Sequence, residues 1–222
     1  MYDVKTAMSV ISSIVKPAGL VIIEVPDSTK PVAQIAEFFS FEHVSYFTRG
    51  TLTRLLGDFG FEAEKFDTDV SVPNLRVCAK KRDKGEESRQ DEADDREELL
   101  AALSKHKEET QKLEQRIADR FTPLIAQWKK TSARVAIYGA GMHARFLLEL
   151  VDFNDCIVCM LDTDPRKHGT RFVRWEVRGP QMIEKLGLDA IVISSRDYQE
   201  EIYETIAHYQ DTLGIEVVKC YP

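Results

Sequence analysis

Apolar side chains recur along this chain with two periods, and the switches between them mark its elements. Residues 4–15 carry apolar positions at helical spacing and predict an amphipathic helix. Lys16-Pro17-Ala18-Gly19 reads as a turn, and Leu20 to Val25 (LVIIEV) as a buried strand. A loop with Pro26 and Pro31 follows. Thr48 then stands where an N-cap belongs, ahead of a helix with apolar positions Leu52, Leu55, Leu56 and Phe59, which Gly60 ends. Phe61 to Thr68 and Leu75 to Lys80 predict two further strands, paired as a hairpin.

The middle of the chain is different. Residues 82–98 (RDKGEESRQDEADDREE) have no aromatic or branched apolar side chain and nothing to bury. After them Leu99, Leu103, His106, Thr110, Leu113 and Ile117 alternate spacings of four and three, a heptad seam with two polar positions in its centre. Phe121, Leu124 and Trp128 continue the stripe after a one-residue shift. Pro123 suggests the first turn of a new helix capped by Thr122. The stripe suits either a connecting helix packed on a flanking domain or a short dimerising coiled coil.

From residue 131 onward, apolar strands alternate with helices. Arg134 to Tyr138, Ile157 to Leu161, Ala190 to Ile193 and Ile215 to Lys219 predict strands. Helices are expected after Gly141, after Pro180 and over Tyr198 to His208. That alternation implies a parallel sheet with right-handed crossovers, so the fold class is α/β.

This last region carries the clearest chemistry. Gly139-Ala140-Gly141-Met142-His143-Ala144 is a G-x-G-x-x-A run between a strand and a helix. Gly139 permits the tight turn, Gly141 lets a phosphate approach the backbone, and Ala144 lets the helix pack close to the strand. The helix N-terminus offers unpaired N–H groups to an anion. Asp162 ends the second strand, 21 residues past Gly141, where a ribose-binding acid belongs. Asp162, Ser194 and Ser195 all follow strand ends beside the glycine turn. Gly139, Gly141, Ala144, Asp162 and Ser194 are therefore the candidate cofactor-binding residues, for a nucleotide or sugar-nucleotide. His143, in the first helical turn, could contact a phosphate or face water. Cys156 and Cys159 spell C-x-x-C, but residues three apart on a strand point to opposite faces, and no metal site is expected.

Charge refines this division. The net charge of −7 is concentrated: residues 82–98 hold 4 basic and 9 acidic side chains, whereas residues 1–81 hold 9 and 10. The run marks a boundary rather than a ligand. The acidic balance argues against a general nucleic-acid or membrane-surface binder. No apolar run is long enough to span a membrane. The first residues lack a basic n-region and a cleavage site, which argues against a signal peptide. Four cysteines in 222 residues point to a reducing cytoplasm rather than a disulfide scaffold. Three parts are expected: residues 1–82, an acidic and helical linker over 83–130, and a domain over 131–222.

Two resemblances add to this reading. Ile137 to Arg145 (IYGAGMHAR), Asp162 to Gly169 (DTDPRKHG) and Ile191 to Ile202 resemble a family of small Rossmann-like domains found appended to glycan-modifying and methyl-transferring enzymes. Val15-Lys16-Pro17-Ala18-Gly19, Ile22 to Pro26, Phe41 to Thr48 (FEHVSYFT) and Gly60-Phe61 resemble the closing half of a class I S-adenosylmethionine-dependent methyltransferase, nearest the sugar C-methyltransferase group. The second resemblance implies methyl transfer to a sugar-nucleotide or related small metabolite, with Glu42 and His43 in acid/base chemistry. An imidazole oriented by a carboxylate suits proton removal beside a carbonyl. The alternative is that Glu42 and His43 brace a loop. The family's glycine-rich S-adenosylmethionine turn and its cysteine-rich zinc region have no counterpart in residues 1–82. The resemblance therefore implies a truncated sheet, inactive alone, or one completed by a homodimer or a partner chain. The rival reading is a non-catalytic nucleotide or nucleotide-sugar binding or assembly module. An NAD-dependent oxidoreductase would share the fingerprint but lacks a visible Tyr/Lys or His/Asp arrangement.

Overall fold

The computed structural model describes residues 3–32, 38–39, 43–67, 73–83, 94–153 and 155–221. The chain is mixed α/β and divides into two compact units, Met1–Thr110 and Gln111–Pro222. The residues expected as a linker, 83–130, are thus shared between the units.

In the first unit, Asp3 caps α1 (Val4–Ile14) by accepting from the N–H groups of Lys5 and Thr6. β1 (Leu20–Pro26) leads to α2 (Arg49–Asp58), where Thr48 and Thr51 form the expected cap reciprocally. β2 (Phe61–Phe66) and β3 (Asn74–Lys81) are the hairpin. The sheet order is β1-β3-β2, with β3 antiparallel to both neighbours. Its core gathers Met8, Leu52, Leu56, Phe61, Leu75, Val77 and Ala79, with Val21, Ile23 and Val25 packed against them. β1 is not the fully buried strand expected: Leu20 and Ile22 alternate with those core residues and are 64% and 72% exposed. The acidic run also makes a specific contact. Asp95 Oδ2 accepts from Gly50 N–H at 2.7 Å, at the start of α2. Burial opposes its charge, but hydrogen bonds from Thr48 and Gly50 outweigh burial and hold its carboxyl below the usual carboxylate range.

α3 is one helix, Arg96–Thr131, and corrects the expectation of a break at Thr122 and Pro123. Thr122 Oγ1 donates to Ala118 O at 2.7 Å, the bond of a mid-helix threonine rather than of a cap. Pro123 lies on the exposed side, where the Asp119 carbonyl it leaves unpaired can meet water. Ile117, Phe121, Ile125 and Trp128 on the other side are buried and keep the helix on course. The stripe therefore runs through Ile125 rather than Leu124. Phe121 and Trp128 meet Phe153 at 5.4 and 6.4 Å between ring centroids.

The second unit holds β4 (Val135–Tyr138), α4 (Met142–Leu150), β5 (Ile157–Leu161), β6 (Arg171–Phe172), β7 (Trp175–Arg178), α5 (Ile183–Leu186), β8 (Ala190–Ile193), α6 (Gln199–Ile206), α7 (His208–Leu213) and β9 (Glu216–Lys219). β6 and β7 were not expected. What reads as one helix over Tyr198 to His208 is α6 followed by α7. The sheet order is β6-β7-β5-β4-β8-β9, all parallel except β6. Renumbering only its parallel strands gives 3-2-1-4-5, the order of a doubly wound Rossmann-type sheet. Ala136, Tyr138, Cys159, Leu161, Ile191 and Ile193 belong to one buried cluster, while the alternating Val135, Ile137, Met160 and Val192 are also fully buried. Both faces are covered, as a parallel sheet requires. No helix among the described residues is long and apolar enough to cross a membrane.

The continuity of α3 is testable. Pro123→Ala should stabilise the protein by up to about 3 kcal/mol, seen as a higher urea midpoint at unchanged m-value. Thr122→Ala should cost clearly less than the ~1 kcal/mol of a lost N-cap. The opposite pair of results would restore two helices.

Candidate ligand-binding site

β4 is the strand at which the sheet order reverses. β5 lies on one side of it and β8 on the other, so the loops leaving their carboxyl ends diverge and open a crevice. A cavity of about 430 Å³ occupies that place, within the range of small-molecule sites. Gly139, Gly141, Ala144, Asp162 and Ser194, the five residues expected from sequence, all line it.

Each is held there by identifiable bonds. Gly139 has φ +103°, and its N–H donates to Leu161 O at 2.7 Å. A Cβ at Gly139 would stand 2.9 Å from Ser194 Oγ, so this glycine is required both for its backbone conformation and for the close approach. Gly141 is the N-cap of α4, and a Cβ there would meet nothing within 4 Å: the space above it belongs to the cavity. Ala144 is fully buried, the small residue that lets α4 lie close to the sheet. The first N–H groups of α4 thus stand at the cavity with no side-chain cap.

Asp162 and Ser194 are present but already engaged. Asp162 Oδ2 accepts from Ala140 N–H at 2.9 Å and from Lys167 Nζ at 2.8 Å, and Oδ1 accepts from Asp164 N–H at 2.9 Å. Lys167 Nζ also donates to Ala140 O at 3.0 Å, so both backbone groups of Ala140 are clamped by one ion pair. Ser194 Oγ lies 3.0 Å from the carbonyl oxygens of both Tyr138 and Gly139 and braces the turn. Asp164 caps the short 3₁₀ turn Pro165–Lys167, and its hydrogen bond from Arg166 holds its carboxyl down to about 2. Tyr138, at the end of β4, is pushed up to about 12 by burial and, secondarily, by the charge of Asp162.

Sequence reasoning missed three contributors. Lys167 lies in the Asp162 to Gly169 stretch and follows the strand-ending acid by five residues, but the sequence pattern assigns it no role. Glu201 lines the cavity from α6. Tyr221 comes from beyond β9: its backbone N–H and C=O pair with the Gln199 side chain at 2.8 and 3.0 Å, and its hydroxyl pairs with His143 Nδ1. His143, left open between phosphate and water, lines the cavity with its ring held by that tyrosine.

The other expected site is less complete. Glu42 lies outside the described residues. His43, in the first unit, is exposed, with its ring edge-on to Tyr46 at 6.1 Å. Cys156 and Cys159 are buried free thiols, and burial pushes Cys159 up to about 11. No group of three or more His, Cys, Asp or Glu among the described residues could hold a metal ion.

A family model described as C2185-like, N-terminal, matches residues 131–216, the stretch that carries the cavity. Among solved structures, the chain is similar to UDP-D-quinovosamine 4-dehydrogenase from Vibrio fischeri. The identity is 23%, over 39% of this chain and 76% of that one, with a TM-score of 0.32. No curated protein sequence matches the chain at a significant level.

The demands on the glycine turn can be measured. Gly139→Ala should cost roughly 1–3 kcal/mol from its left-handed backbone, with a further steric loss against Ser194. Adding Ser194→Ala should recover only the steric part in chemical denaturation. A Gly139→Ala protein as stable as the parent would overturn this account of the turn.

Proposed function

We propose that residues 111–222 form a module that binds a nucleotide or nucleotide-sugar at the β4–α4 turn. The observation that carries this is convergence: the glycine turn, the uncapped start of α4 and the loops after β5 and β8 meet on one cavity at the reversal of strand order. The four cysteines are free thiols, which suits the reducing cytoplasm expected from composition. Gly141→Val tests the reading, because a Cβ at Gly141 meets no protein atom within 4 Å. In a thermal-shift panel of nucleotides and nucleotide-sugars, at least one should raise the melting temperature of the parent. Gly141→Val should remain folded, with a loss on the order of 1 kcal/mol for the poorer N-cap, and should lose that response. No response from any nucleotide would sink the proposal.

A second reading concerns residues 1–82, as the closing half of an S-adenosylmethionine-dependent methyltransferase sheet acting on a sugar-nucleotide or similar metabolite. Its support is local. Ala18 adopts φ +58° in Lys16-Pro17-Ala18-Gly19, the tight turn that opens the resembling stretch. The order strand, helix, hairpin also follows the resemblance. S-adenosylmethionine does not fit what residues 1–82 provide, since they hold no glycine-rich turn after a strand. On this reading the donor site lies outside residues 1–82. Isothermal titration of this chain alone with S-adenosylmethionine should show no tight stoichiometric binding, and tight binding would overturn that reading.

A further inference from the structure

Asp162 stands where a dinucleotide site keeps the acid for a ribose diol, yet its bonds point elsewhere. A ribose needs carboxylate oxygens turned to the ligand. Here one oxygen takes two protein donors and the other takes the Asp164 N–H, and the side chain is only 10% exposed. Lys167 is the more accessible partner of the pair, 41% exposed at the side chain and lining the cavity. An ammonium has three N–H groups. Two are directed to Asp162 and Ala140 O, which leaves one for a ligand.

The opposite wall has the opposite sign. Lys167 follows β5 and Glu201 belongs to α6, which follows β8. Because β5 and β8 flank β4 on its two sides, the cation and this carboxylate approach the glycine turn from different directions. Asp162 is offset by Lys167 and by the Ala140 N–H, whereas Glu201 has no cation paired with it among the residues lining the cavity. An anionic group is therefore favoured near Lys167 and the start of α4, and disfavoured near Glu201. A carboxylate accepts well from hydroxyl groups.

We infer, building on the nucleotide-binding reading above, that the cavity takes a nucleoside diphosphate sugar with its diphosphate on Lys167 and a hydroxyl-bearing ring toward Glu201, and that it disfavours dinucleotides. Lys167 is the ligand contact of the β5 loop, and Asp162 is a positioning residue that aims it.

Titration calorimetry with UDP, UDP-glucose, uridine, NAD and inorganic pyrophosphate tests this on the full chain. UDP-glucose should bind, pyrophosphate should compete with it, and uridine and NAD should bind at least tenfold more weakly. Lys167→Met should weaken UDP and UDP-glucose by about tenfold or more, the scale of one charge-assisted hydrogen bond. Lys167→Arg should recover part of that. Glu201→Gln should weaken UDP-glucose but not UDP. If Lys167→Met fails to fold, judged by its unliganded melt, Lys167→Arg and the pyrophosphate competition decide. UDP-glucose binding that is insensitive to Lys167 and to pyrophosphate, or NAD binding as tightly as UDP-glucose, overturns the inference while leaving a nucleotide site. Absence of binding by every probe overturns both.

Discussion

The second unit is organised by a single topological constraint: β4 is paired on both edges by parallel strands whose chains leave in different directions. Parallel neighbours cannot be joined by tight turns, so each connection must climb over a face of the sheet. Where the direction of winding reverses, no connection crosses the carboxyl end of the central strand, and a crevice remains. The glycine turn follows from this. The chain must leave β4 between two crowded neighbours, with Leu161 O bonded to Gly139 N–H on one side and Ser194 braced against the Tyr138 and Gly139 carbonyls on the other. Only a residue without a Cβ fits between them. The Asp162–Lys167 pair closes the remaining side by taking up both backbone groups of Ala140. The cavity is therefore preorganised by bonds that do not depend on a ligand.

What could be read from the sequence tracks how local its cause is. The Thr48 cap, the end of α2 at Gly60, the hairpin of β2 and β3, and the strands β4, β5, β8 and β9 depend on short-range pattern and were legible. The strand pair β6 and β7 was not, for a reason visible in its turn. Val173 has φ +56°, a conformation that two-residue hairpins ordinarily assign to Gly, Asn or Asp, so the usual turn signal is missing. The alternation of buried Trp175 and Val177 with more exposed Glu176 and Arg178 was the remaining clue. The break expected at Pro123 failed because local propensity was outweighed by burial: the proline sits on the solvent side of a stripe whose aromatic residues pack on Phe153. At the site, the fingerprint pointed to residues that line one cavity, since strand ends and glycine spacing locate a crevice. It did not give their roles. Whether an acid at a strand end faces a ligand or the protein depends on what the next loop places beside it, and Lys167 could be matched to Asp162 only in three dimensions.

The two sheets meet the problem of covering apolar strands differently, and this separates the two functional readings. In the second unit every residue of β4 and β8 is buried, and the crevice is an opening in an otherwise satisfied sheet. In the first unit α1 and α2 both contribute to the core on one face, whereas Leu20 and Ile22 stand exposed on the other. β1 pairs only with β3 among the described strands, so its second edge carries seven residues of strand backbone without a ladder partner there. Val10 and Ile14 of α1 are also more than half exposed. A three-stranded sheet can stand with one face in water when that face is polar. Here Glu24 and Arg76 are joined at 2.6 Å and Lys80 stands opposite Leu20, yet Leu20 and Ile22 add exposed apolar surface to the same face. The burial of β4 and β8 around one crevice, on which the proposed binding module rests, has no counterpart in the first unit. Catalysis by residues 1–82 would therefore require surface supplied from elsewhere, whereas ligand binding by residues 111–222 would not.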